Sequence, residues 1–373
     1  MTHRYDIIVF GGGVAGLFVA NRLHRAGYNL IVIEKDKLGG GQTLASQGMI
    51  HGGQKYALRG KATRQAKFSA AMADRWEACF AGNGDIDLSS IRVLSVSQSL
   101  FPAGGFFSKL ATFIAAHAVK GKMRKVKRGP VYEMQEKVLN TKSLVTVLAL
   151  PLKGRILKGD ITELLPDGRV TVSGASLEAR AVIFTAGAGN ETALQLLNVP
   201  ANAAQRRPLR QIMVKPMFEA LYGHGISGGA KPRVTVTSHP LGKSEYVWYL
   251  GGSVAEAAAK MPEAEALRFA KKEMTEIFPH LDWENKEWAG WLGDRAEPFD
   301  AAGRLPPEPC IRQQGKILIA WPVKMTFVPD LSDKIFSWLR QQGIDPSSRT
   351  DAPPLQGAGI GSYPWEEAAW QRL

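Results

Sequence analysis

The sequence predicts an α/β protein, a dinucleotide-binding, Rossmann-like FAD domain joined to a second α+β substrate domain built on a β-sheet. Three observations carry this. An apolar run at Tyr5–Phe10 passes straight into a glycine turn, and a second run, Leu30–Ile33, ends on the acid Glu34. At 373 residues the chain is also long for one compact core, so two lobes are expected.

Tyr5–Phe10 is short and nearly unbroken, as in a strand buried on both faces of a parallel sheet. The turn matches GxGxxG at Gly11, Gly13 and Gly16. Gly11 permits the tight bend, Gly13 lets a pyrophosphate approach the backbone, and Gly16 lets helix and strand pack closely. The helix that follows opens at Val14 and Ala15, whose end offers free N–H groups and a positive dipole to the pyrophosphate. Glu34, 18 residues past Gly16, can accept hydrogen bonds from a ribose and repels a 2′-phosphate, which disfavours NADP. Lys35 follows it directly. The stretch Gly39–Gly53 then supplies Thr43, Ser46, Gln47 and Gly48, small or polar groups in a glycine-rich loop, before a helix expected from about Lys61 to Phe80. A nicotinamide dehydrogenase would go straight to its next βα unit. An extended FAD needs this second backbone cradle, so tightly bound, noncovalent FAD is expected.

Composition bounds the rest. Hydrophobic residues make up 45% and charged residues 22%, the balance of a folded rather than a disordered chain. Two distant cysteines, Cys79 and Cys310, exclude a disulfide scaffold and a cysteine metal site. The seven histidines show no HExxH spacing, so no metal is expected. No apolar run approaches the roughly 18 residues of a membrane span. The chain opens in a strand pattern rather than a signal peptide, and a cytoplasmic location is expected. A net charge of +13 favours anionic partners: small carboxylates or phosphates, an acidic membrane surface touched peripherally, or nucleic acid. Six basic residues crowd into Lys120–Arg128.

Ser46-x-Gly-Met-Ile-His51-Gly-Gly-x-Lys-Tyr56 resembles the S-x-x-L-I-H-G-G-x-R-Y signature of glycerol-3-phosphate dehydrogenases and a related stretch of 2-hydroxyglutarate-oxidising enzymes. The chain is thus similar to FAD-dependent oxidoreductases of the D-amino-acid oxidase and glycerol-3-phosphate dehydrogenase superfamily. Further segments agree in order. Glu136–Val145 resembles the stretch introducing the strand beside the adenine, which implies a contact at Ile161. Ala179–Asn190 resembles the second FAD-binding strand and turn, implying Thr185, Ala186 and Gly187. Lys316–Pro329 resembles the closing strand that faces the flavin, implying Met325 and Thr326. The resemblance divides the chain into an FAD-binding domain (1–85, 136–205 and 300–345), a substrate-binding domain (86–135 and 206–299) and a loop-like C-terminal tail (346–373). Within the substrate domain, Val234–Thr237 and Glu245–Leu250 read as strands around a turn from His239, and 262–278 reads as a helix with Pro262 at its first turn.

Flavin oxidation of a C–H bond next to N or O needs hydride acceptance at flavin N5, removal of a heteroatom proton, a clamp on the substrate anion and positive charge near flavin N1. The resemblance implies His51 as acid–base group, Arg295 as carboxylate clamp and Lys324 as the positive charge. It also implies Lys55 and Tyr56 as substrate contacts. Arg295 stands in Gly-Asp-Arg-Ala-Glu-Pro, with Ala296 where the family has Pro. Its alternative role is a structural salt bridge with Glu297 or Asp300. The tyrosine that many amine oxidases of this family carry after residue 230 has no match at Val234–Thr237, which counts against an amino acid as substrate. Tyr246 and Tyr249 lie on the next strand. Two functions remain open. One is oxidation of a small anionic substrate (a 2-hydroxy acid, amino acid or polyol phosphate), with electrons passing on to oxygen, a quinone or a protein. The other is oxidation of a macromolecule such as modified tRNA, which the net charge favours.

Overall fold

The computed structural model describes residues 3–52, 64–104, 123–125, 131–200, 203–228, 231–301, 304, 306–347 and 355–373, the side chains of 64–65 and 123–125 excepted. Two β-sheets organise these residues. In the first, six strands run in the order Cys310–Gln314, Ile317–Trp321, Ala175–Phe184, His3–Phe10, Leu30–Glu34 and Ile156–Lys158. Arg169–Val172 and Ile161–Leu164 fold back antiparallel from the Ala175 strand. The pairings on either side of His3–Phe10 are parallel, with Phe10 level with Phe184 on one flank and Ile33 on the other.

Both faces of this sheet are covered, which is why its strands read as unbroken apolar runs. Ile7 and Val9 pack with Leu17, Val145 and Leu331 from the helices Val14–Arg25, Thr141–Ala149 and Val328–Gln341. Ile8 and Phe10 pack with Leu194 of the helix Asn190–Leu196 on the opposite face. The Thr141 helix starts where it does because the Asn140 side chain accepts the Ser143 N–H. The helix expected from about Lys61 is described over Arg64–Phe80, where Trp76 is fully buried against Phe18.

The second sheet has nine strands, in the order Gln371–Arg372, Glu287–Pro298, Ala204–Met217, Tyr246–Gly251, Val234–Pro240, Gly223–Ile226, Gln98–Pro102, Tyr132–Met134 and Met123–Lys125. It is antiparallel except where Gly223–Ile226 runs parallel to Gln98–Pro102. Val234, Val236 and Trp248 face the helix Glu263–Ile277, whose first turn follows Pro262 as expected. Met213, Val247, Tyr249 and Ala289 point the other way, into the core shared with the first sheet. Arg206 spans the junction, bonded to Glu191 and to Asp294.

Two expectations need correction. His239 belongs to a strand rather than a turn, because the Val234 strand keeps pairing through Pro240. The tail is not simply loop. Ile360 bridges to Leu38 of the first sheet's side, Pro364–Glu367 forms a helix closed by a Tyr363–Glu366 capping box, and Gln371–Arg372 pairs with Glu287–Trp288 of the second sheet. The aromatic rings of Tyr363 and Trp365 supply the reason, stacking 3.9 Å apart over His239 and Tyr249.

Candidate active site

The first strand ends in a turn that only glycine can make. Gly11 has φ +106°, and a Cβ there would come within 2.7 Å of the Ala186 backbone. A Cβ on Gly16 would meet the Gly11 carbonyl oxygen at 1.9 Å. The Val14–Arg25 helix opens at Gly13 with no capping bond from that residue's side chain and no acid in its first turn, leaving a positive end for a diphosphate. Thr43 Oγ1 accepts the Val14 N–H at 3.1 Å, tying the second loop to this helix end. Glu34, at the end of its strand, accepts from the Gly12 N–H (2.6 Å) and the Asp36 N–H (3.0 Å). Those bonds aim the carboxylate while each oxygen keeps a second lone pair for a ribose hydroxyl. Lys35 is exposed and pairs with Asp160. Across the turn, the Thr185 N–H donates to Phe10 O, the Ala186 N–H to Asn190 Oδ1, and Gly187, at φ +58°, faces open space. Ile161 heads a strand packed against the far core.

The second loop descends from this end of the sheet. Ser46 Oγ donates to Thr43 O and accepts the Gly48 N–H. Gly48 (φ +68°) passes so close to Leu139 that a Cβ would sit 2.4 Å from its carbonyl oxygen. Gln47 Nε2 donates to the carbonyls of Thr235 and Tyr249 and so stitches the loop to the second sheet. The His51 N–H donates to Thr326 Oγ1 at 3.1 Å, and the Thr326 carbonyl accepts from Trp76 Nε1. Met325 is half-buried beside it.

At this junction His51 meets two residues to which sequence reasoning gave no role. Its Nδ1 lies 3.5 Å from Glu136 Oε2, while Glu136 Oε1 accepts the Gly52 N–H at 2.8 Å. The His224 ring is 6.0 Å away, centroid to centroid, with its Nδ1 3.0 Å from Thr235 Oγ1. Glu136 is 2% exposed and His224 1%. Glu136 stood inside a recognised segment. His224 had one signal, a Gly-His-Gly run, whose glycines let the Gln98–Pro102 strand approach: a Cβ on Gly223 would be 2.2 Å from Ser99 O.

The other expected residues fall elsewhere. Arg295 is partnered by Glu256 (3.3 Å) and by the Arg207 and Pro208 carbonyls. Burial and the neighbouring Arg207 guanidinium lower its pKa, and Glu256 is further held by Lys231. The expected alternative partners are engaged otherwise, Glu297 with Arg207 and Asp300 with Arg304. Lys324, half-buried, places Nζ 4.9 Å from the Phe327 ring centroid, two residues from Thr326. Lys55 and Tyr56 lie outside the described residues, as do the side chains of the 120–128 cluster. Tyr249 is fully buried, and desolvation raises its hydroxyl well above the ordinary value. Tyr246 stands at the start of the same strand, half-buried. Burial pushes His239, beside Tyr249, down to about 3. Among the described residues no helix is long and apolar enough to cross a membrane.

A mixed sheet whose central strands run parallel, with this glycine turn, an acid ending the next strand and a second loop, is the arrangement of a dinucleotide-binding protein, and the comparisons specify which kind. Residues 6–320 match the family model of FAD dependent oxidoreductases, the DAO family. A probable FAD-dependent oxidoreductase of Pseudomonas aeruginosa is 37% identical over 97% of this chain and 98% of its own. The crystal structure of that protein matches with a TM-score of 0.83 at 34% identity, covering 98% of each chain. Glycine oxidase from Geobacillus kaustophilus (TM-score 0.67, 14% identity, 96% of this chain and 100% of that one) shares the fold. So does L-α-glycerophosphate oxidase from Mycoplasma pneumoniae with FAD bound (0.64, 15%, 96% and 98%). The chain belongs to the DAO family of FAD-dependent oxidoreductases. It is an enzyme, and its cofactor is FAD. The helix end at Gly13, with no acid in its first turn, and the open space at Gly187 fit that cofactor.

Proposed function

We propose that this oxidoreductase removes a hydride from a carbon bearing a hydroxyl in a small anionic substrate, a 2-hydroxy acid or polyol phosphate, the first sheet forming the FAD lobe and the second the substrate lobe. The observation that carries the reading is the His51 imidazole held against the Glu136 carboxylate at the junction of the two sheets. FAD, when bound, supplies the hydride acceptor. Gly11–Gly16, Glu34, Thr43, Ser46–Gly48, Thr185–Gly187, Met325 and Thr326 would hold it.

Alcohol oxidation requires a base for the hydroxyl proton. Glu136 Oε2, 3.5 Å from His51 Nδ1, stabilises the imidazolium that forms, and Nε2 takes the substrate proton. Thr326 fixes the backbone that carries the ring. Lys324, next in chain to Met325, supplies positive charge for the substrate anion and for the reduced cofactor. Arg295 is left out of this clamp because Glu256 already neutralises it. Amino acids rank lower: Tyr249, the tyrosine facing inward on the neighbouring strand, is sealed under Trp365 with its proton firmly held.

Anaerobic mixing of the yellow protein with panels of 2-hydroxy acids, polyol phosphates, amino acids and modified tRNA tests this. Bleaching by a hydroxy acid or polyol phosphate supports the reading. Bleaching by amino acids alone, or by tRNA alone, overturns it.

A further inference from the structure

His51, Glu136 and His224 each offer one donor atom, and the three atoms lie within 4.8 Å of one another. We propose that this cluster binds a divalent transition-metal ion, Zn²⁺ being the best match, and that the bound ion blocks the site. The blocking clause rests on His51 being the acid–base group; the binding clause does not.

Two imidazoles and a carboxylate are the donor set of three-ligand zinc sites that keep a fourth position open. Magnesium and calcium prefer oxygen shells and are poorly served by two nitrogens. Zinc bonds of about 2.0–2.2 Å in a tetrahedron set donor atoms roughly 3.3 Å apart. The His51 Nδ1 to Glu136 Oε2 separation is 3.5 Å, so that edge needs almost no adjustment.

Outer contacts hold each donor in place, as they do around metal ligands generally. The Gly52 N–H fixes Glu136 through Oε1, leaving Oε2 turned to the cluster. Thr235 Oγ1 contacts His224 Nδ1, and when that nitrogen carries the proton, Nε2 keeps the lone pair a metal takes. The Thr326 hydroxyl anchors the His51 backbone. Burial of Glu136 and His224 limits competition from water. The donors come from three separate stretches of chain, so the absence of a metal-ligand spacing in the sequence says nothing about them. An ion here takes the His51 nitrogen that otherwise holds a proton against Glu136, and it places two positive charges where the substrate enters.

The test uses chelator-treated, FAD-loaded protein titrated calorimetrically with ZnCl₂, with CoCl₂ as a second probe read beyond the flavin absorption band. The expected result is one Zn²⁺ per chain at micromolar affinity and a four-coordinate Co²⁺ spectrum. His224→Gln and Glu136→Gln should each weaken binding at least tenfold. Thr235→Val, which touches no metal ligand atom, should weaken binding by about tenfold with FAD content and melting temperature unchanged, and it answers the question should either ligand variant fail to fold. No binding, or equal binding by wild type and all three variants, overturns the proposal. Flavin reduction measured without metal separates the two readings. If zinc fails to bind while His51→Asn still slows reduction, only the metal site falls. If zinc binds but His51→Asn reduces normally, only the acid–base reading falls.

Discussion

Residues 5–34 and the His51 cluster are assembled on opposite plans. The dinucleotide cradle is contiguous: a strand, a glycine turn, a helix end and an acid, each doing its work through backbone that its own few residues shape. The cluster borrows one side chain from the second loop, one from the stretch before the Thr141 helix and one from the second sheet. Packing between the two sheets, not local conformation, brings it together. The first region therefore tolerates little change in backbone shape, its turn being pressed against Thr185 and Ala186 as well as shaped by its own glycines. The second tolerates local change but fails when either sheet shifts.

Four outcomes test that contrast, the largest first. Replacing His51 with Asn should slow flavin reduction by on the order of 10²–10⁴-fold while FAD content stays normal. Stopped-flow reduction measures it, and a loss under tenfold would remove the histidine from the chemistry. Glu34→Ala should do the reverse. FAD affinity should fall roughly ten- to a hundredfold with the loss of charge-assisted ribose bonds, while the loaded fraction is reduced at the wild-type rate. Equilibrium titration of the apoprotein with FAD decides that.

The third outcome concerns His239, whose burial is another product of packing between lobes. Its folded pKa of about 3 lies below the unfolded value of about 6.5, so the unfolded chain binds the extra proton in between. Its stabilising effect is complete above about pH 6.5 and is lost as pH falls toward 3, by up to about 1.4 kcal/mol per pH unit. His239→Phe should flatten the fall in melting temperature between pH 7 and 5. An unchanged slope would show that other groups set the acid limit. The smallest effect should come from Arg295→Ala. Its partner Glu256 keeps Lys231, so a partly exposed ion pair worth about 1 kcal/mol or less is lost and reduction kinetics barely move. A drop above tenfold would return the arginine to anion capture.

What the sequence revealed follows the same division. Gly11, Gly13, Gly16 and Glu34 could be read because their spacing lies within one motif, even though the backbone pressing on Gly11 belongs to Thr185 and Ala186. The second loop was legible as a cradle, and Gln47 and Ser46 do tie it down, but its attachment to Thr235 and Tyr249 belongs to another sheet. His51 was singled out by its neighbours in sequence, whereas Glu136 and His224, which the fold brings beside it, carried no periodic or spacing signal. Arg295 shows the limit of a motif. Its motif was visible, and Glu256, on a helix distant in the chain, was not. The tail misled because proline and glycine marked it as loop, while its aromatic pair found a surface that only the assembled sheets provide.

That aromatic pair also bears on how the molecule is made. Synthesis delivers residues 355–373 after every strand of both sheets except their own Gln371–Arg372. Ile360 bridges Leu38 and Gln371 pairs with Trp288, so the segment can hold both contacts at once only when the two sheets face each other. The segment works as a latch rather than a nucleus. Contacts made last should slow separation of the two sheets more than they speed their meeting.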